Sequence, residues 1–475
     1  MADQLHPGKH GMDKENLSNS GERITLAGRT STVLKEDTVG IMMPSATSRV
    51  GRSMELRFPI SRMADEMFDL IVIGGGAAGF FGAITAAEAG VKKILILEKG
   101  PEVLTKVRIS GGGRCNVTHD CYDPRELVQS YPRGMKNLMG PFHRFQPADT
   151  ITWFEEHGVE LKAESDGRMF PVTDSSETII NCLVDTARTH GVLWRTRCGA
   201  ADVKVVDDGF EIYSTLGQRY QTKKLLIATG GIRSGDASKP VEDLGHSLSE
   251  AVPSLFTFKI GDIRLHDLQG VSVPHARIKI GSLESEGPLL ITHWGLSGPA
   301  ILKVSAWGAR ELANRDYRFK VEVNWTGHET AESVSVVFEK NRKEHGTWKV
   351  MKRSLIEGVT KRLWHRMCET SKITDDTTWA TITKDQSSAL TSELVKATYQ
   401  VDGKSLNKDE FVTCGGVSLD DIQLRTMESK QVPGLYFAGE VLDIDGITGG
   451  FNFQSAWTTG HLAGTAISGS LASPP

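Results

Sequence analysis

The stretch from Phe68 to Lys99 constrains the fold of this chain more than any other part of its sequence. An apolar run, Leu70–Ile73, leads directly into a GGGAAG turn at residues 74–79, and a second apolar run, Ile94–Leu97, ends at Glu98. The small-residue stretch between the two runs is typical of a helix that packs against a sheet. Strand, glycine turn, helix, strand and acid in this order predict a dinucleotide-binding βαβ unit.

Each small residue of the turn has a physical role in such a unit. Gly74 permits the tight turn, Gly76 lets the backbone approach a pyrophosphate, and Gly79 lets the helix pack closely on the strand. The amides of the first helical turn then present the positive end of the helix dipole to the phosphates. Glu98, nineteen residues after Gly79, is expected to accept hydrogen bonds from a ribose 2′-OH.

Length and composition limit the remaining possibilities. A chain of 475 residues is long enough for two or three domains, and its net charge of −4 gives no argument for a nucleic-acid or anionic-membrane partner. No apolar run reaches the ~18 residues of a membrane span. The six cysteines resemble neither a secreted disulfide framework nor a zinc motif. We therefore expect free thiols in a reducing compartment, and no metal site.

Residues 1–66 show no periodic apolar pattern and are predicted to be a disordered leader. Within them, Ile41–Met63 contains Ser and Arg with a single acid, Glu55, which is typical of an organelle transit peptide. Six acidic residues among the first forty argue against that interpretation. The alternatives are a flexible tail, or translation that starts at Met54 or Met63. The predicted location is a plastid or mitochondrion, and otherwise the cytoplasm.

A second glycine-rich segment, KVRISGGGRCNVTH, follows at residues 106–119. Three consecutive glycines predict a loop pressed against a flat or anionic group, where Arg114 would pair with a phosphate and Asn116 would hydrogen-bond a ring edge. Further on, a strand enters Thr229-Gly230 and is expected to return beside the first glycine turn, with the backbone of Val203 near the adenine. No second GxGxxG follows, so the sequence predicts no separate nicotinamide-binding domain.

The middle of the chain has a different pattern of apolar residues. From residue 254 to 328, short alternating runs predict a small antiparallel sheet or barrel. A segment within it, ITHWGLSGP, contains His293, a candidate proton donor at a pocket rim, although a structural role is the commoner one for a lone histidine. Residues 329–409 predict helices at Glu329–Arg342, Trp348–Cys368 and Lys384–Ala397.

Basic residues alternate with three tryptophans in this helical region: Trp348, Trp364 and Trp379. A nucleic-acid surface has this composition, but amphipathic helices whose Lys and Arg stems lie along apolar surface explain it more simply.

The last stretch that is rich in glycine motifs runs from residue 411 to 466. A strand ends at Gly439-Glu440, and Gly449-Gly450 precedes a small-residue helix that is predicted to begin near Phe451–Asn452. A helix N-terminus at this point would stabilise negative charge at the pyrimidine end of an isoalloxazine. Glu440 would hydrogen-bond either the ribityl chain or a neighbouring loop. Two glycine–acid segments at opposite ends of the chain suggest one long ligand between them.

Three blocks carry a resemblance to a known family: IVIGGGAAG with EK, KVRISGGGRCN, and TCGGVSLDD continuing to GLYFAGEVLDIDGITGGFNFQSAWTTG. Together they resemble the BaiN/YhiN-like, aminoacetone-oxidase-type, FAD-dependent oxidoreductases, over about residues 67–468, in an organellar plant or algal version. The resemblance implies an α/β fold. A glutathione-reductase-type, Rossmann-like FAD-binding domain comprises residues 67–253 and 410–475, a β-barrel-like domain is inserted at 254–328 with part of 398–410, and a small helical domain occupies 329–409.

The resemblance also assigns residues to the parts of FAD. It implies that the pyrophosphate is bound by Gly74, Gly76, Ala78 and Gly79, the adenosine end by Glu98 and Lys99, the flavin side by Arg114 and Asn116, and the ribityl and pyrimidine by Gly439, Glu440, Gly450, Phe451 and Asn452. The sequence GIRSGDASKPVEDLGH after the ATGG strand departs from the longer, Pro-containing glycine-rich segment of bacterial members.

The predicted function is an FAD-dependent oxidoreductase that acts on a small organic substrate, with the flavin reduced by NAD(P)H. Alternatives are an amine oxidase that uses oxygen, a flavin-dependent nucleic-acid-modifying protein, and a non-catalytic FAD-binding protein. The motifs indicate the cofactor and leave the substrate open, because the flavin itself performs the chemistry. The oligomeric state is likewise open.

Overall fold

The structure is a computed structural model that describes residues 66–232, 238–405 and 412–472. The predicted leader, residues 1–66, therefore lies outside the described residues except for Glu66. The same holds for residues 406–411, where the barrel segment and the C-terminal segment were predicted to meet.

The elements before the barrel are, in chain order, β1 (Met67–Ile73), α1 (Ala77–Glu88), β2 (Ile94–Leu97), α2 (Thr105–Gly113), β3 (Thr118–His119), α3 (Pro124–Leu127), α4 (Met135–Phe142), α5 (Pro147–Glu156), β4 (Leu161–Ala163), β5 (Arg168–Pro171), α6 (Ser176–Thr189), β6 (Leu193–Arg195), β7 (Ala200–Val206), β8 (Gly209–Ser214), β9 (Arg219–Ile227), α7 (Lys239–Asp243) and β10 (Leu248–Ser254). The middle of the chain contributes β11 (Thr257–Lys259), β12 (Ser272–Ile280), β13 (Leu283–Ile291), β14 (Gly295–Ser297), α8 (Pro299–Trp307), α9 (Ala309–Asn314), β15 (Arg318–Asn324), α10 (Ala331–Glu344), α11 (Lys361–Thr370), α12 (Lys384–Val395) and β16 (Ala397–Ser405). The last segment contributes β17 (Val412–Val417), β18 (Ile422–Gln423), β19 (Glu428–Ser429), β20 (Leu435–Phe437) and α13 (Phe451–Ala472).

One mixed sheet joins the two ends of the chain. Its strand order is β18-β19-β20-β9-β1-β2-β6, with β8 paired to β7 and to the first half of β9. Strand β1 is parallel to β2 and β9, and β20 is parallel to β9. The run from Leu70 to Ile73 and all of β2 are buried, as expected of parallel strands that are covered on both faces. The predicted βαβ unit is therefore present.

Helices α1 and α13 pack on each other through glycines. A Cβ atom at Gly460 would lie 2.8 Å from the Ala78 carbonyl oxygen, and one at Gly464 would lie 2.5 Å from the Gly82 carbonyl oxygen. Only glycine allows this approach, because any side chain would meet the backbone of the facing helix. The close packing predicted for the C-terminal helix is confirmed, and it joins residues that are almost 400 positions apart in the sequence.

The middle of the chain forms a closed barrel with the order β11-β14-β13-β12-β15-β16. Its apolar core is separate from that of the mixed sheet and includes Ile278 and Val321 from the strands. Helices α10 and α11 contribute Phe338 and Trp364 to the same core, and the segment between α11 and α12 contributes Trp379. The predicted barrel and helical segments therefore share one hydrophobic core.

One predicted helix is shorter than expected. Within the predicted range Trp348–Cys368, residues 350–352 form a 3₁₀ turn and regular helix begins only at Lys361, after the capping residue Thr360. Gly358 adopts φ +77°, which ends any continuous helix before that point. Trp364 and Trp379 are buried in the core, whereas Trp348 is 43% exposed.

A buried ion pair links the sheet and the barrel. Arg133 and Asp445 form a salt bridge in which the Asp445 side chain is fully buried. Arg133 also donates to the Ala306 carbonyl oxygen of α8 at 2.5 Å, and the Ser254 hydroxyl donates to Asp445 at 2.7 Å. The contacts hold the barrel segment against the C-terminal end of the chain.

Candidate functional site

A cavity of about 840 Å³ lies where the parallel strands β1, β2, β9 and β20 end. The carboxyl edge of such a sheet is the usual binding position in open α/β folds, and the volume falls within the range of small-molecule and cofactor sites. Three parts of the chain line it: the glycine turn and α2 with its following glycines, the C-terminal return near Glu440 and Asn452, and barrel residues around Trp294.

The glycine turn is shaped as predicted. Gly74 has φ +112°, and a Cβ atom there would lie 2.3 Å from the Ala228 carbonyl oxygen. A Cβ atom at Gly79 would lie 2.0 Å from the Gly74 carbonyl oxygen. At Gly76, by contrast, a Cβ atom would meet no atom within 4 Å. Gly74 and Gly79 are thus required by the protein backbone, whereas Gly76 leaves open space on the cavity wall.

The N-terminus of α1 lies at this open space. Gly76 is its N-cap with extended φ and ψ of −90° and −169°, and no side chain caps the helix there. Ala77 and Ala78 line the cavity in the first turn, and that turn contains no acidic residue. Because helix amides without a side-chain cap and the helix dipole both favour an anion, this wall fits a pyrophosphate.

Glu98 lines the cavity at the end of β2, as expected. Its carboxylate accepts hydrogen bonds from the backbone amides of Gly75 at 2.7 Å and Gly100 at 2.5 Å. Each carboxylate has about four lone-pair positions, so acceptor capacity remains for a ribose hydroxyl. The two backbone contacts fix the side chain at the cavity wall before any ligand binds.

The SGGG segment also reaches the cavity. Ser110 is extended, and Gly111, Gly112 and Gly113 have φ of +58°, +68° and +86°. Ser110, Gly111 and Gly112 line the cavity, so this turn brings main-chain atoms directly to the ligand space. The loop position therefore follows the prediction, but backbone rather than the Arg114 side chain forms the wall.

Lys106 and Glu440 form an ion pair in the cavity wall. The Lys106 Nζ donates to Glu440 Oε2 at 2.5 Å, and the Thr413 amide donates to Glu440 Oε1 at 2.8 Å. Glu440 was predicted to hydrogen-bond either the ribityl chain or a neighbouring loop, and in the structure its carboxylate contacts neighbouring protein segments. Lys106 is the one cation among the described residues that line the cavity.

The segment that follows β9 returns beside the first turn, where Thr229 and Gly230 line the cavity. Gly231 does so as well, although it was not among the predicted site residues. A Cβ atom at Gly231 would lie 2.2 Å from the Thr413 hydroxyl oxygen and 2.9 Å from Glu440 Oε1. The second glycine of the ATGG sequence was the available signal for this residue.

The predicted loop and the predicted helix start touch each other. With the Asn116 side-chain amide oriented to satisfy its neighbours, its oxygen accepts from the Gly450 amide at 2.9 Å, and a Cβ atom at Gly450 would lie 2.3 Å from the Thr118 carbonyl oxygen. Phe451 is buried and its ring lies 4.5 Å from that of His119. Asn116, Gly450 and Phe451 therefore support the start of α13 from behind the cavity wall.

Asn452 and Gly439 reach the cavity itself. The Asn452 amide group is paired in both directions with the backbone of Gly446, at 2.8 and 2.9 Å, which closes the loop before α13. Gly439 has φ +78°, and a Cβ atom there would lie 2.7 Å from the Ala78 Cβ. Both residues thus shape the wall at the point where the two chain ends meet.

Arg114 is engaged away from the cavity. Its guanidinium pairs with Glu164 at 2.6 Å and with Asp174 at 3.4 Å, and lies 3.9 Å from the centre of the Phe170 ring. The hydrogen bond with Glu164 raises the pKa of Arg114 above its ordinary value. The expected phosphate partner is thus replaced by two carboxylates, which the sequence places fifty and sixty residues downstream.

Two further predicted residues lie outside the cavity lining. Lys99 is exposed and packs beside Gly199. Val203 is buried in β7, paired with Ile212 of the neighbouring strand. The β7–β8 hairpin pairs with the first half of β9 and therefore lies away from the carboxyl edge of the sheet.

His293 is exposed and does not line the cavity, whereas its neighbours Thr292 and Trp294 do. These two belong to the wall that the barrel contributes, which sequence patterns did not reveal; its other members are Leu255, Thr257, Ser297, Leu302 and Ser405. The Thr257 and Ser297 hydroxyls lie 2.8 Å apart and give this wall hydrogen-bonding groups.

All six cysteines are free, and the described cavity wall contains none of them. Burial raises the pKa of the Cys115 thiol to about 12, so this residue stays protonated and unreactive at neutral pH. Within the described ranges, no group of three or more His, Cys, Asp or Glu side chains is arranged to hold a metal ion. No described helix has the length and apolar character to cross a membrane.

Comparisons with known proteins agree with this geometry. Residues 68–466 match a family model described as the HI0933-like protein Rossmann domain. The chain is 32% identical over 404 residues to the ribosomal RNA dihydrouridine synthase of Escherichia coli strain K12, covering 83% of this chain and 96% of that protein. A Haemophilus influenzae protein of the same name is 28% identical, covering 84% and 98%. The 3-dehydro-bile acid delta(4,6)-reductase of Clostridium scindens is 27% identical, covering 83% and 98%.

Proposed function

Because the chain belongs to the HI0933-like family of FAD-dependent oxidoreductases, we propose that it reduces a carbon–carbon double bond that is conjugated to a carbonyl group. Family membership confirms the resemblance drawn from the three sequence blocks, and FAD is the cofactor of this flavoprotein family. When bound, FAD supplies two-electron hydride chemistry to such a bond.

The protein's own residues account for binding and orientation of the cofactor. The open space at Gly76 and the first turn of α1 fit the pyrophosphate, and Glu98 fits the ribose. Main-chain atoms of Ser110 to Gly112 and the start of α13 near Asn452 form the far part of the cavity. Lys106, whose side chain is about half exposed, pairs with Glu440 in the cavity wall.

The names of the relatives support the proposed type of bond. Dihydrouridine arises when the C5–C6 double bond of uracil, which is conjugated to the C4 carbonyl, takes up a hydride and a proton. A delta(4,6)-reductase acting on a 3-dehydro bile acid also acts on double bonds conjugated to a carbonyl group. The relatives therefore share one type of reaction on substrates of very different size.

We propose uridine in RNA as the substrate class. Two observations support this substrate class. The RNA-modifying relative is 32% identical over nearly its whole length. The cavity extends from the Rossmann-type domain that would hold FAD, here called the cofactor half, to hydroxyl and indole groups of the barrel. The Thr257 and Ser297 hydroxyls, which line this cavity, would offer hydrogen-bonding groups to a base that enters it. The second candidate is a free enone, which corresponds to the small organic substrate predicted from the sequence and is supported by the bile-acid relative.

We also propose that NADH or NADPH is the reductant, because reduction of a double bond requires an external electron donor. The purified yellow protein is mixed anaerobically with each nicotinamide, and the visible flavin band is followed. In vitro transcribed ribosomal RNA is then added, digested to nucleosides and analysed by mass spectrometry. We expect bleaching of the flavin and uridine that has gained two hydrogen atoms.

Other outcomes of this experiment separate the alternatives. Reoxidation of the flavin by a conjugated steroid enone, with unchanged RNA, would favour the second candidate. Bleaching by an amine and not by a nicotinamide, followed by reoxidation with oxygen, would identify an amine oxidase instead. A protein that binds FAD and shows no turnover with any of these compounds would contradict both candidates.

The organellar location remains a proposal that rests on the Ser- and Arg-containing composition of Ile41–Met63. A fluorescent protein fused after residue 66 is expected to enter plastids or mitochondria. Uniform fluorescence of the cytosol would contradict this location.

A further inference from the structure

The turn between β13 and β14 presents Trp294 to the cavity. The residue is 59% exposed, although it lines the same cavity as Gly111 and Gly112 of the cofactor half. Of the large apolar side chains that are exposed in the described ranges, Trp294 is the one that lines the cavity. An indole exposed to this extent at a cavity wall has free surface on which a ligand can pack.

The backbone around Trp294 is held firmly. Its carbonyl oxygen accepts from the Ile260 amide at 2.8 Å, and its amide donates to the Thr292 hydroxyl at 3.2 Å. The next residue, Gly295, has φ +139°, and a Cβ atom there would lie 2.4 Å from the Phe258 carbonyl oxygen. The turn is therefore fixed while the indole is free, so a ligand that packs on the indole orders little additional chain.

An exposed indole on a fixed turn is a platform for planar rings. Unpaired bases stack on aromatic side chains in RNA-binding proteins, and enzymes that modify a base take it out of the stack into a pocket. A ring that stacks on Trp294 lies in the cavity that the cofactor half also lines. The position of the indole thus combines substrate binding with access to the reacting group.

We propose that Trp294 is the platform on which the uracil base of an RNA substrate stacks, and that it favours uridine over the reduced product. The inference rests on the proposed function. In the reaction, C6 gains a hydride that originates from the nicotinamide donor through FAD, and C5 gains a proton from solvent. Both carbons become tetrahedral, so the ring is no longer planar and loses much of its stacking surface.

The test measures binding without turnover. The oxidised, FAD-loaded protein is titrated with two fluorescent single-stranded RNA oligonucleotides that are identical except for one central uridine or dihydrouridine. The variants are Trp294→Ala, Trp294→Phe and Trp294→Leu. Trp307→Ala is the matched control, because Trp307 is also an exposed indole of the barrel half, at 42%, but lies outside the cavity lining.

We expect Trp294→Ala and Trp294→Leu to weaken uridine-RNA binding by about 5- to 150-fold, the range for loss of one base–aromatic stack. Binding of the dihydrouridine RNA should change much less, so the preference for uridine falls. Trp294→Phe should keep most of the preference, and Trp307→Ala should match the wild type. The Leu variant retains apolar bulk without an aromatic face, so the comparison with Phe holds even if the Ala variant folds poorly.

Two results would overturn the proposed stacking role of Trp294. The first is unchanged uridine-RNA affinity in Trp294→Ala, and the second is an equal loss for both oligonucleotides. If the wild-type protein reduces uridine and the Trp294 variants bind RNA normally, the role of Trp294 is refuted but the proposed function is not. Wild-type protein that binds neither oligonucleotide and forms no dihydrouridine refutes the proposed RNA substrate, and the platform with it.

Discussion

At the scale of single residues, the glycines of the first turn have two different roles. Gly74 and Gly79 face protein backbone so closely that a methyl group at either would overlap a carbonyl oxygen. Gly76 has an ordinary extended conformation and faces open cavity. The GxGxxG pattern predicted all three positions, but only the structure separates those required for folding from the one available to the ligand.

This distinction gives a test of the cofactor site. We expect Gly76→Ala to leave the stability of the FAD-free protein nearly unchanged, because the added methyl meets no protein atom, and to weaken FAD binding by at least tenfold, because it enters the pyrophosphate space. Gly79→Ala should instead destabilise the FAD-free protein. Thermal melting of the apoprotein and FAD titration by flavin fluorescence measure the two effects. Equal stability loss in both variants would contradict the assignment.

Among the polar residues, the position of Glu98 was predictable from the sequence, whereas the partners of Arg114 were not. Glu98 was predicted from its spacing after the turn, because the end of β2 must lie beside the start of α1 in any βαβ unit. Arg114 was predicted to bind a phosphate, yet its partners Glu164 and Asp174 come from distant elements. The partner of a long, flexible cation depends on the tertiary fold, which local spacing does not encode.

At the scale of elements, α1 and α13 form the closest contact between the two ends of the chain. The facing glycines Gly82, Gly460 and Gly464 allow each helix backbone to approach the other. The small-residue pattern in each helix predicted close packing, but it did not identify the partner. The partner follows from β20 pairing with β9, which brings the last strand and its helix beside the first βαβ unit.

Two glycines of α13 allow a matched test of this contact. A Cβ atom at Gly464 would lie 2.5 Å from the Gly82 carbonyl oxygen, so Gly464→Ala should destabilise the protein by roughly 1–3 kcal/mol. A Cβ atom at Gly469, in the same helix, would meet no atom within 4 Å. Gly469→Ala should therefore be neutral or stabilising by up to about 1 kcal/mol. Urea unfolding midpoints of the two variants measure the difference, and similar midpoints would argue against close helix packing.

At the scale of the whole molecule, the site exists because two separate cores are held against each other. The cofactor half and the barrel each have their own apolar core, and the cavity is lined from both. The buried Arg133–Asp445 ion pair and its hydrogen bonds to Ser254 and Ala306 link the two halves. We infer that these contacts also fix the distance between Trp294 and the cofactor walls.

The ion pair provides the corresponding prediction. Asp445→Asn leaves the Arg133 guanidinium buried without its carboxylate, and we expect a loss of about 3–5 kcal/mol in stability. The exposed pair of Lys279 and Glu284 on the barrel serves as the control, since Glu284→Gln should lower stability far less than Asp445→Asn. Chemical denaturation of both variants tests this, and a small effect at Asp445 would mean that the halves do not depend on the pair.

The sequence by itself determined the βαβ unit and the barrel, because glycine spacing and apolar periodicity act over a few residues and need no knowledge of the rest of the chain. The family and its FAD followed from the resemblance of three sequence blocks. Only the tertiary structure decided that Arg114 is paired with acids, that Lys106 meets Glu440, and that Trp294 reaches the cavity. These contacts join residues up to several hundred positions apart, and their formation depends on strand order and on the placement of the barrel. The glycine stretch at residues 74–79 and the barrel placed against it therefore line one cavity, which is the proposed site of the cofactor and the substrate.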